Sequence, residues 1–365
     1  MSDFDEKYIK KCLKMAKKAE GLTSPNPLVG AFVLDKDLKI AGIGYHHKYG
    51  EAHAEIVALN QAGERALGGT LYINLEPCCH YGKTPPCTDR VIASGIKELV
   101  AGMTDPNPLV AGKGLEIVKQ AGITVKSGVL EKDCLKLNEI FVKNMTKKAS
   151  FIAIKSAITL DGKIASRTGS SKWITSEKSR SEVQKLRNKY DALLTGSGTI
   201  IKDNPSLTCR MKNGRNPVRV NLDSKLSTSP TSKVYSDDGA KVIIACSEKA
   251  NKDRFKLYPQ NVEFLLCPVE KNSRLNLTYV TAELYKKGIM SILVEAGGEL
   301  NGSFLKESLV DKFYIFTAPK ILGDREAWNF AEGFDTDDIN KSLNFRFDEI
   351  KALGIDLFIE AYSVK

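Results

Sequence analysis

The chain has 365 residues, 42% of them hydrophobic and 27% charged, with a net charge of +10 at neutral pH. That length exceeds one ordinary core and predicts two domains, and the composition describes a soluble globular protein, not a disordered or membrane one. No apolar run approaches the roughly 18 residues that a membrane span requires, and the opening MSDFDEKYIKKCLKMAKK lacks the apolar core of a secretory signal.

A cytoplasmic protein without a membrane partner is therefore expected. The positive charge admits nucleic acid as well as small phosphorylated ligands. Its lysines are spread along the whole chain without a block of six basic residues, which reads as a solvated surface. Eight cysteines in a reducing compartment do not form a disulfide framework, so a tight cluster of them points to metal or catalysis.

Apolar residues among lysines from Asp5 to Glu20, stopped by Gly21, predict an amphipathic opening helix. LVGAFVLD (28–35) and KIAGIGY (39–45) predict a hairpin around DKDL. A helix is expected from His53 to Ala62, a strand over 70–76, a helix over 87–93 and a strand over 98–103. A helix over 113–122, a strand over 123–129 and one long helix over 131–148 follow. Strands alternating with helices define an α/β layer structure, and new strands begin at 151, so a boundary is placed near residue 148.

In the second half, 176–190 predicts a helix opened by Ser176. DALLTGSG (191–198), PVRVNLD (217–223), KVIIAC (241–246) and VEFLLCPV (262–269) predict strands, and TAELYKKG (281–288) a short helix. IMSILVEAGG (289–298) predicts a strand running into paired glycines, followed by a helix over 298–309 and closing strands at 310–319 and 356–363. PNPLV occurs at 25–29 and 106–110, which is too short an echo to define a repeat.

The chemistry concentrates at His53-Ala54-Glu55 and at EPCCHYGKTPPC (76–87). Zinc deaminases hold the ion by one His and two Cys and place a proton-carrying carboxylate, not itself a ligand, beside it. H-x-E followed by P-C supplies these groups in order. The second cysteine departs from P-C-x-x-C spacing, because Cys87 follows Cys78 by nine positions. Zinc requires convergence and not a fixed spacing, and Gly82 with Pro85-Pro86 allows the loop to return. A structural zinc knot using the adjacent cysteines and His80 is the competing reading. It needs four protein ligands and leaves Glu55 without a task.

The string HAE followed by EPC-x-H-x-G-K-T-P-P-C resembles the deaminase half of the bifunctional riboflavin biosynthesis deaminase/reductase family. The family usually has serine before the histidine, where this chain has Cys79. The resemblance implies His53, Cys78 and Cys87 as zinc ligands and Glu55 as the catalytic proton shuttle, with Cys79 and His80 outside the coordination shell. SPNPLVG (24–30) and GYH (44–46) resemble further family segments, which implies that Asn26, His46 and Lys83 contact substrate.

FIAIKSAITLDGKIA, SKWIT and LRNKYDALLTGSGTIIKDNPSLTCR resemble the reductase half, and the likeness extends from about residue 5 to 362. It implies a cytidine-deaminase-like three-layer α/β domain (1–148) followed by a dihydrofolate-reductase-like α/β domain (149–365) that binds NADPH without G-x-G-x-x-G. VEAGGELNGSFL suits a phosphate by itself, since a strand ends in glycines at a helix N-terminus. The resemblance assigns Gly297, Gly298, Glu299, Leu300, Asn301, Gly302 and Ser303 to the cofactor, together with Ala157, Trp173, Thr199, Asp203 and Ser224. Asp161 is a further candidate there. Ser171, Arg187, Leu207, Arg210 and Glu295 are implied for substrate, with Lys155 as a further candidate.

The expected activity is zinc-dependent hydrolytic deamination of 2,5-diamino-6-ribosylamino-4(3H)-pyrimidinone 5′-phosphate. NADPH-dependent reduction of the ribosyl to a ribityl chain then follows, in a homo-oligomer. Two other classes stand beside it: a nucleic-acid base deaminase with an accessory domain, and a zinc-stabilised binding module. The late stretch KILGDREAW departs from the family's K-x-L-G-G, and 225–280 has no anchor in the resemblance.

Overall fold

A computed structural model describes residues 3–80, 86–108, 110–270, 273–334 and 336–364. The chain divides into two compact units, Met1–Lys148 and Ala149–Lys365.

The first unit contains α1 (Asp3–Ala16), β1 (Gly30–Leu34), β2 (Ile40–Tyr45), α2 (Ala54–Ala62), β3 (Thr70–Leu75), α3 (Cys87–Ala93), β4 (Glu98–Met103), α4 (Lys113–Gln120), β5 (Thr124–Lys126), α5 (Glu131–Leu137) and α6 (Glu139–Lys147). Its sheet runs β2-β1-β3-β4-β5. The hairpin β1-β2 pairs Gly30 with Tyr45, β3 adds antiparallel to β1, and β4 and β5 follow in parallel. Tyr8, Ile9, Cys12 and Ala16 of α1 face the core, the spacing of one helical stripe. β1 and β3 are buried along their full length, as strands covered on both faces must be.

Glycines set how closely helices approach this sheet. A Cβ on Gly42 would overlap the carbonyl of Ala58, and one on Gly44 that of Ala54, so the alanine face of α2 lies directly on β2. The single helix expected over 131–148 is instead two. It breaks at Asn138, which leaves helical geometry with φ −103° and ψ 21°.

The second unit contains β6 (Phe151–Thr159), β7 (Lys163–Ala165), α7 (Glu177–Lys189), β8 (Ala192–Gly196), α8 (Ser197–Asp203), β9 (Val218–Leu222), β10 (Val242–Ser247), β11 (Val262–Cys267), α9 (Leu277–Lys286), β12 (Ser291–Val294), α10 (Gly298–Lys306), β13 (Lys312–Ala318), β14 (Trp328–Asn329), β15 (Phe345–Leu353) and β16 (Asp356–Ser363). A nine-stranded sheet runs β11-β10-β9-β8-β12-β6-β13-β16-β15. It is parallel from β11 to β13, and an antiparallel hairpin closes one edge. Ile154, Leu194, Val220, Ile292, Phe304 and Phe313 are among the residues of its core.

Three expectations are corrected in this unit. TGSG does not end as a strand, since α8 begins at Ser197. α9 starts at Leu277 behind an Asn276 cap, four residues before the expected helix, because the Asn276 side chain accepts from the Tyr279 amide. β15 has no counterpart in the expected elements, because its charged residues and mostly exposed burial pattern give no apolar alternation.

Candidate active sites of the two units

In the first unit three elements converge. His53 caps α2, Cys78 follows β3, and Cys87 opens α3. His53 Nδ1 lies 3.2 Å from Cys87 Sγ and 3.7 Å from Cys78 Sγ, and all three donor atoms fall within 4.8 Å of one another. Tetrahedral zinc with bonds of about 2.0–2.3 Å places neighbouring donors about 3.5 Å apart, so the spacing fits the ion. Among the described residues no fourth His, Cys, Asp or Glu joins the cluster, and Cys79 and His80 stay outside it.

The electrostatics suit a cation. Cys78 accepts from Cys87, which draws its pKa down against the opposing effect of burial, with further help from His53. Cys87 is pushed up as the donor in that contact. Glu55 lies one helical residue beyond Ala54, is 3% exposed and hydrogen-bonds Cys87. Burial raises its pKa, and the His53 charge partly offsets that rise. A carboxyl lifted toward neutrality can take and return a proton at working pH.

His46 is buried beside this cluster, its ring 5.4 Å from that of His53. Its Nδ1 donates to the Ala52 carbonyl at 3.1 Å, which leaves Nε2 to accept from Asn26 Nδ2 at 3.1 Å. Burial lowers its pKa, consistent with this neutral tautomer. Both ring nitrogens thus face protein. His46 holds the Asn26 amide with Oδ1 as the free acceptor end. Lys83 lies outside the described residues.

Two acids next to the cluster escaped the sequence reading. Glu76 accepts from the backbone amides of Asp105, Gly112, Gly114 and Leu115 and so ties the loop before α4 to the end of β3. Asp105 is buried, and burial lifts its pKa to about 6. The signal for Glu76 was its place in E-P-C. For Asp105 it was the second PNPLV echo, which follows it directly.

In the second unit a cavity of about 960 Å³ opens at the carboxyl ends of β8, β9 and β12, the usual ligand position on parallel sheets. Thr199, Ser224, Gly297, Gly298, Glu299, Leu300, Gly302 and Ser303 all line it, as do Lys202, Arg274 and Trp328. A Cβ on Gly297 would meet open space, so this position leaves room for a ligand at the start of α10. Gly298 and Gly302 serve a different purpose. Their Cβ atoms would collide with the carbonyls of Asn329 and Glu332, so these glycines admit the 329–333 loop against α10.

Five expected cofactor residues are not on the cavity wall. Asn301 is fully buried and donates to the Phe330 and Ala296 carbonyls. Asp161 accepts from Thr159 Oγ1, Leu322 N and Gly323 N, which holds its pKa near 2 and pins the 320–324 loop. Trp173 is exposed with Arg180 stacked on its ring, Asp203 is exposed at the end of α8, and Ala157 is half-buried in β6.

Of the expected substrate residues, Lys155, Arg187 and Glu295 meet in one ion cluster. Arg187 grips Glu295 with two bonds of 2.8 and 3.0 Å, and Lys155 adds one at 2.9 Å. Burial alone would raise the Glu295 pKa, but the two cations hold it well below the carboxylate range. Arg187 also donates to the Thr208 carbonyl, which links α7 to the loop carrying Leu207 and Arg210. Leu207 is buried with φ +52°, Arg210 is exposed and Ser171 half-buried.

The two halves therefore carry different equipment, and each matches a family of its own. The cytidine and deoxycytidylate deaminase zinc-binding region matches residues 2–103, and the RibD C-terminal domain matches 150–359. Riboflavin biosynthesis protein RibD of Aquifex aeolicus is 44% identical over 98% of both chains, and that of Bacillus amyloliquefaciens is 41% identical over 98% of this chain and 96% of its own. A diaminohydroxyphosphoribosylaminopyrimidine deaminase/5-amino-6-(5-phosphoribosylamino)uracil reductase from Thermotoga maritima superposes with a TM-score of 0.88 at 40% identity, covering 99% of each chain. Acinetobacter baumannii RibD gives the same score at 34% identity, again over 99% of each chain. The chain belongs to the RibD family of riboflavin biosynthesis proteins. The expected order, a cytidine-deaminase-like domain followed by a dihydrofolate-reductase-like one, is borne out.

Proposed function

We propose that the chain carries out two successive steps of riboflavin biosynthesis. In the first, 2,5-diamino-6-ribosylamino-4(3H)-pyrimidinone 5′-phosphate loses its 2-amino group as ammonia. In the second, the ribosyl chain is reduced to ribityl, giving 5-amino-6-ribitylamino-uracil 5′-phosphate. The observation that carries this reading is the His53, Cys78 and Cys87 cluster with the buried Glu55 against it.

When bound at these three donors, zinc supplies a Lewis acid that makes water acidic enough to attack at neutral pH. Glu55 takes the proton from that water and returns it to the ring nitrogen and the departing amine. Asn26, its amide oriented by His46, presents Oδ1 as an acceptor to the pyrimidine edge. In the second unit NADPH supplies the hydride. Gly297 and the first turn of α10 take its diphosphate, while Thr199 and Ser224 line its path. In this reading the ion cluster of Lys155, Arg187 and Glu295 holds the sugar, and Arg210 and Ser171 serve its phosphate.

In this reading the substrate is a small phosphorylated pyrimidine and not a nucleic acid, and the cavity of about 960 Å³ in the second unit takes the dinucleotide. All eight cysteines are free, which supports a reducing, cytoplasmic setting. No helix among the described residues is long and apolar enough to cross a membrane. Phe347 and Ile350, exposed on the edge strand β15, support a homo-oligomer, since open apolar edges are usually covered.

Incubating the protein with the diaminopyrimidine, with and without NADPH, and weighing the products tests the reading. An amine-to-carbonyl change alone, then a gain of two hydrogens once NADPH is added, is expected. Glu55→Gln should keep its zinc and lose roughly 10²-fold or more of the ammonia release. Deamination at the wild-type rate in that variant refutes the role of Glu55.

A further inference from the structure

The break in the helix at Asn138 has a partner 110 residues away. Asn138 Oδ1 accepts from the Leu28 amide at 2.8 Å, and Asn138 Nδ2 donates to the Leu28 carbonyl at 3.1 Å. Asn74 on β3 repeats the arrangement, with Nδ2 donating to the same carbonyl at 3.0 Å and Oδ1 accepting from the Gly30 amide at 2.7 Å. Both side chains are buried, at 3% and 0% exposure. The β1 ladder begins only at Gly30, so these two amides continue its hydrogen bonding upstream into the segment that carries Asn26.

Backbone polar groups buried beyond a ladder must find partners, but that need alone does not call for such rigidity. Leu28 has its N–H and both lone pairs of its carbonyl engaged by side chains that are themselves fixed. The next residue is tied as well, because the His46 amide donates to the Val29 carbonyl at 2.9 Å. His46 in turn holds the Asn26 side chain. The amide end of Asn26 is therefore set from two directions, through its own ring partner and through the peptide two residues on. The backbone of Asn138 keeps its helical partners, its amide donating to the Cys134 carbonyl and its carbonyl accepting from the Val142 amide, so the change of direction there leaves its side chain to make the pair of bonds to Leu28.

We propose that Asn138, together with Asn74, is a positioning residue for deamination. It fixes the Leu28 peptide so that Asn26 meets the pyrimidine ring in a single orientation. The proposal rests on the deaminase reading above. Because His53, Glu55, Cys78 and Cys87 stand on other elements, loosening this segment is expected to weaken substrate binding and leave the chemical step intact.

The test measures ammonia release by the full-length, zinc-loaded enzyme, with zinc content and the NADPH-dependent step as controls on the same preparation. Asn138→Ala is expected to raise KM for the diaminopyrimidine about ten-fold, the equivalent of one or two lost hydrogen bonds, while kcat stays within about two-fold. A residue that only supports the fold would lower the active fraction, and so kcat and zinc content together, at unchanged KM. That outcome overturns the proposal. Asn138→Asp keeps the shape and loses the donor to Leu28, so it carries the same expectation if the alanine variant does not fold.

The pairing with Asn26 is checked by a double-mutant cycle. In an Asn26→Ala background, Asn138→Ala should raise KM no further, and a full additional rise counts against the proposal. Wild-type enzyme that releases no ammonia refutes the deaminase reading and this inference with it. An active wild type with unchanged KM in the Asn138 variants refutes the inference alone.

Discussion

At the scale of single residues, each unit gathers a few charged groups whose environments set their protonation. The Glu295 carboxylate is held between Arg187 and Lys155 with 9% of its side chain exposed. Removing one member of a buried ion cluster costs about 3–5 kcal/mol, because its partners keep their charge without compensation. Glu295→Gln is expected to lose stability of that order in urea unfolding. In the unfolded chain this group ionises near 4.3, and in the native chain lower still. Its contribution is therefore complete above roughly pH 5 and drains away as the pH falls through the native value. The gap between wild type and variant should be constant near neutrality and narrow below about pH 4; a gap that widens on acidification contradicts the assignment. In the first unit, metal analysis should find zinc lost from His53→Ala, Cys78→Ser and Cys87→Ser and retained at about one per chain in Cys79→Ser and His80→Ala. The four-ligand knot built on Cys78, Cys79 and His80 predicts instead that Cys79→Ser and His80→Ala lose the ion.

At the scale of elements, two glycines one helical turn apart in α10 have different neighbours from the glycine that precedes them. Gly302→Ala drives a methyl group into the Glu332 carbonyl, and overpacking of this kind costs about 1–3 kcal/mol. The displaced loop includes Trp328 and Asn329 of the cavity wall, so KM for NADPH is expected to rise several-fold. Gly297→Ala meets open space and should leave the unfolding midpoint unchanged while still weakening NADPH. Equal destabilisation by both changes would contradict this division of labour. Sequence showed that glycines cluster there, but not which of them faces ligand and which faces backbone. That distinction depends on a loop some thirty residues later. Asp161 is a similar case. A D-G turn is visible in sequence, whereas its acceptance of the Leu322 and Gly323 amides depends on tertiary placement. The Asn138 break was invisible for the same reason: asparagine favours helix ends, but only a peptide 110 residues away, which engages both ends of its amide, fixes the break here.

At the scale of the molecule, much of the alternation of strands and helices was readable because the parallel strands are apolar runs bounded by glycine and charge. β4, α3 and β16 fall on the expected residues. The cluster of His53, Cys78 and Cys87 was readable because a histidine, a glutamate and two cysteines come in the order of the zinc-deaminase pattern, although the nine-position step from Cys78 to Cys87 gave no geometric assurance by itself. The charged β15 strand and the wall residues beyond Arg325 were not readable, since neither has a periodic pattern. Two units with separate cofactors predict separable stability. Chelation of zinc should lower one unfolding transition and leave the other in place, and NADPH at about 100 times its Kd should raise the second by about 2.7 kcal/mol. A single transition that moves with both ligands would show the units to unfold together.

The seat of α2 on β2 has a consequence for the first site. Where Gly42 and Gly44 pass beneath Ala58 and Ala54, the helix and the sheet are separated by little more than the hydrogens on two α-carbons. His53 caps the same helix, so its distance from the thiols depends on the thinnest spacer a polypeptide possesses. A single methyl group inserted there works as a shim. It lifts the ring away from both sulfurs at once, and affinity for the ion should fall although no donor atom has been altered.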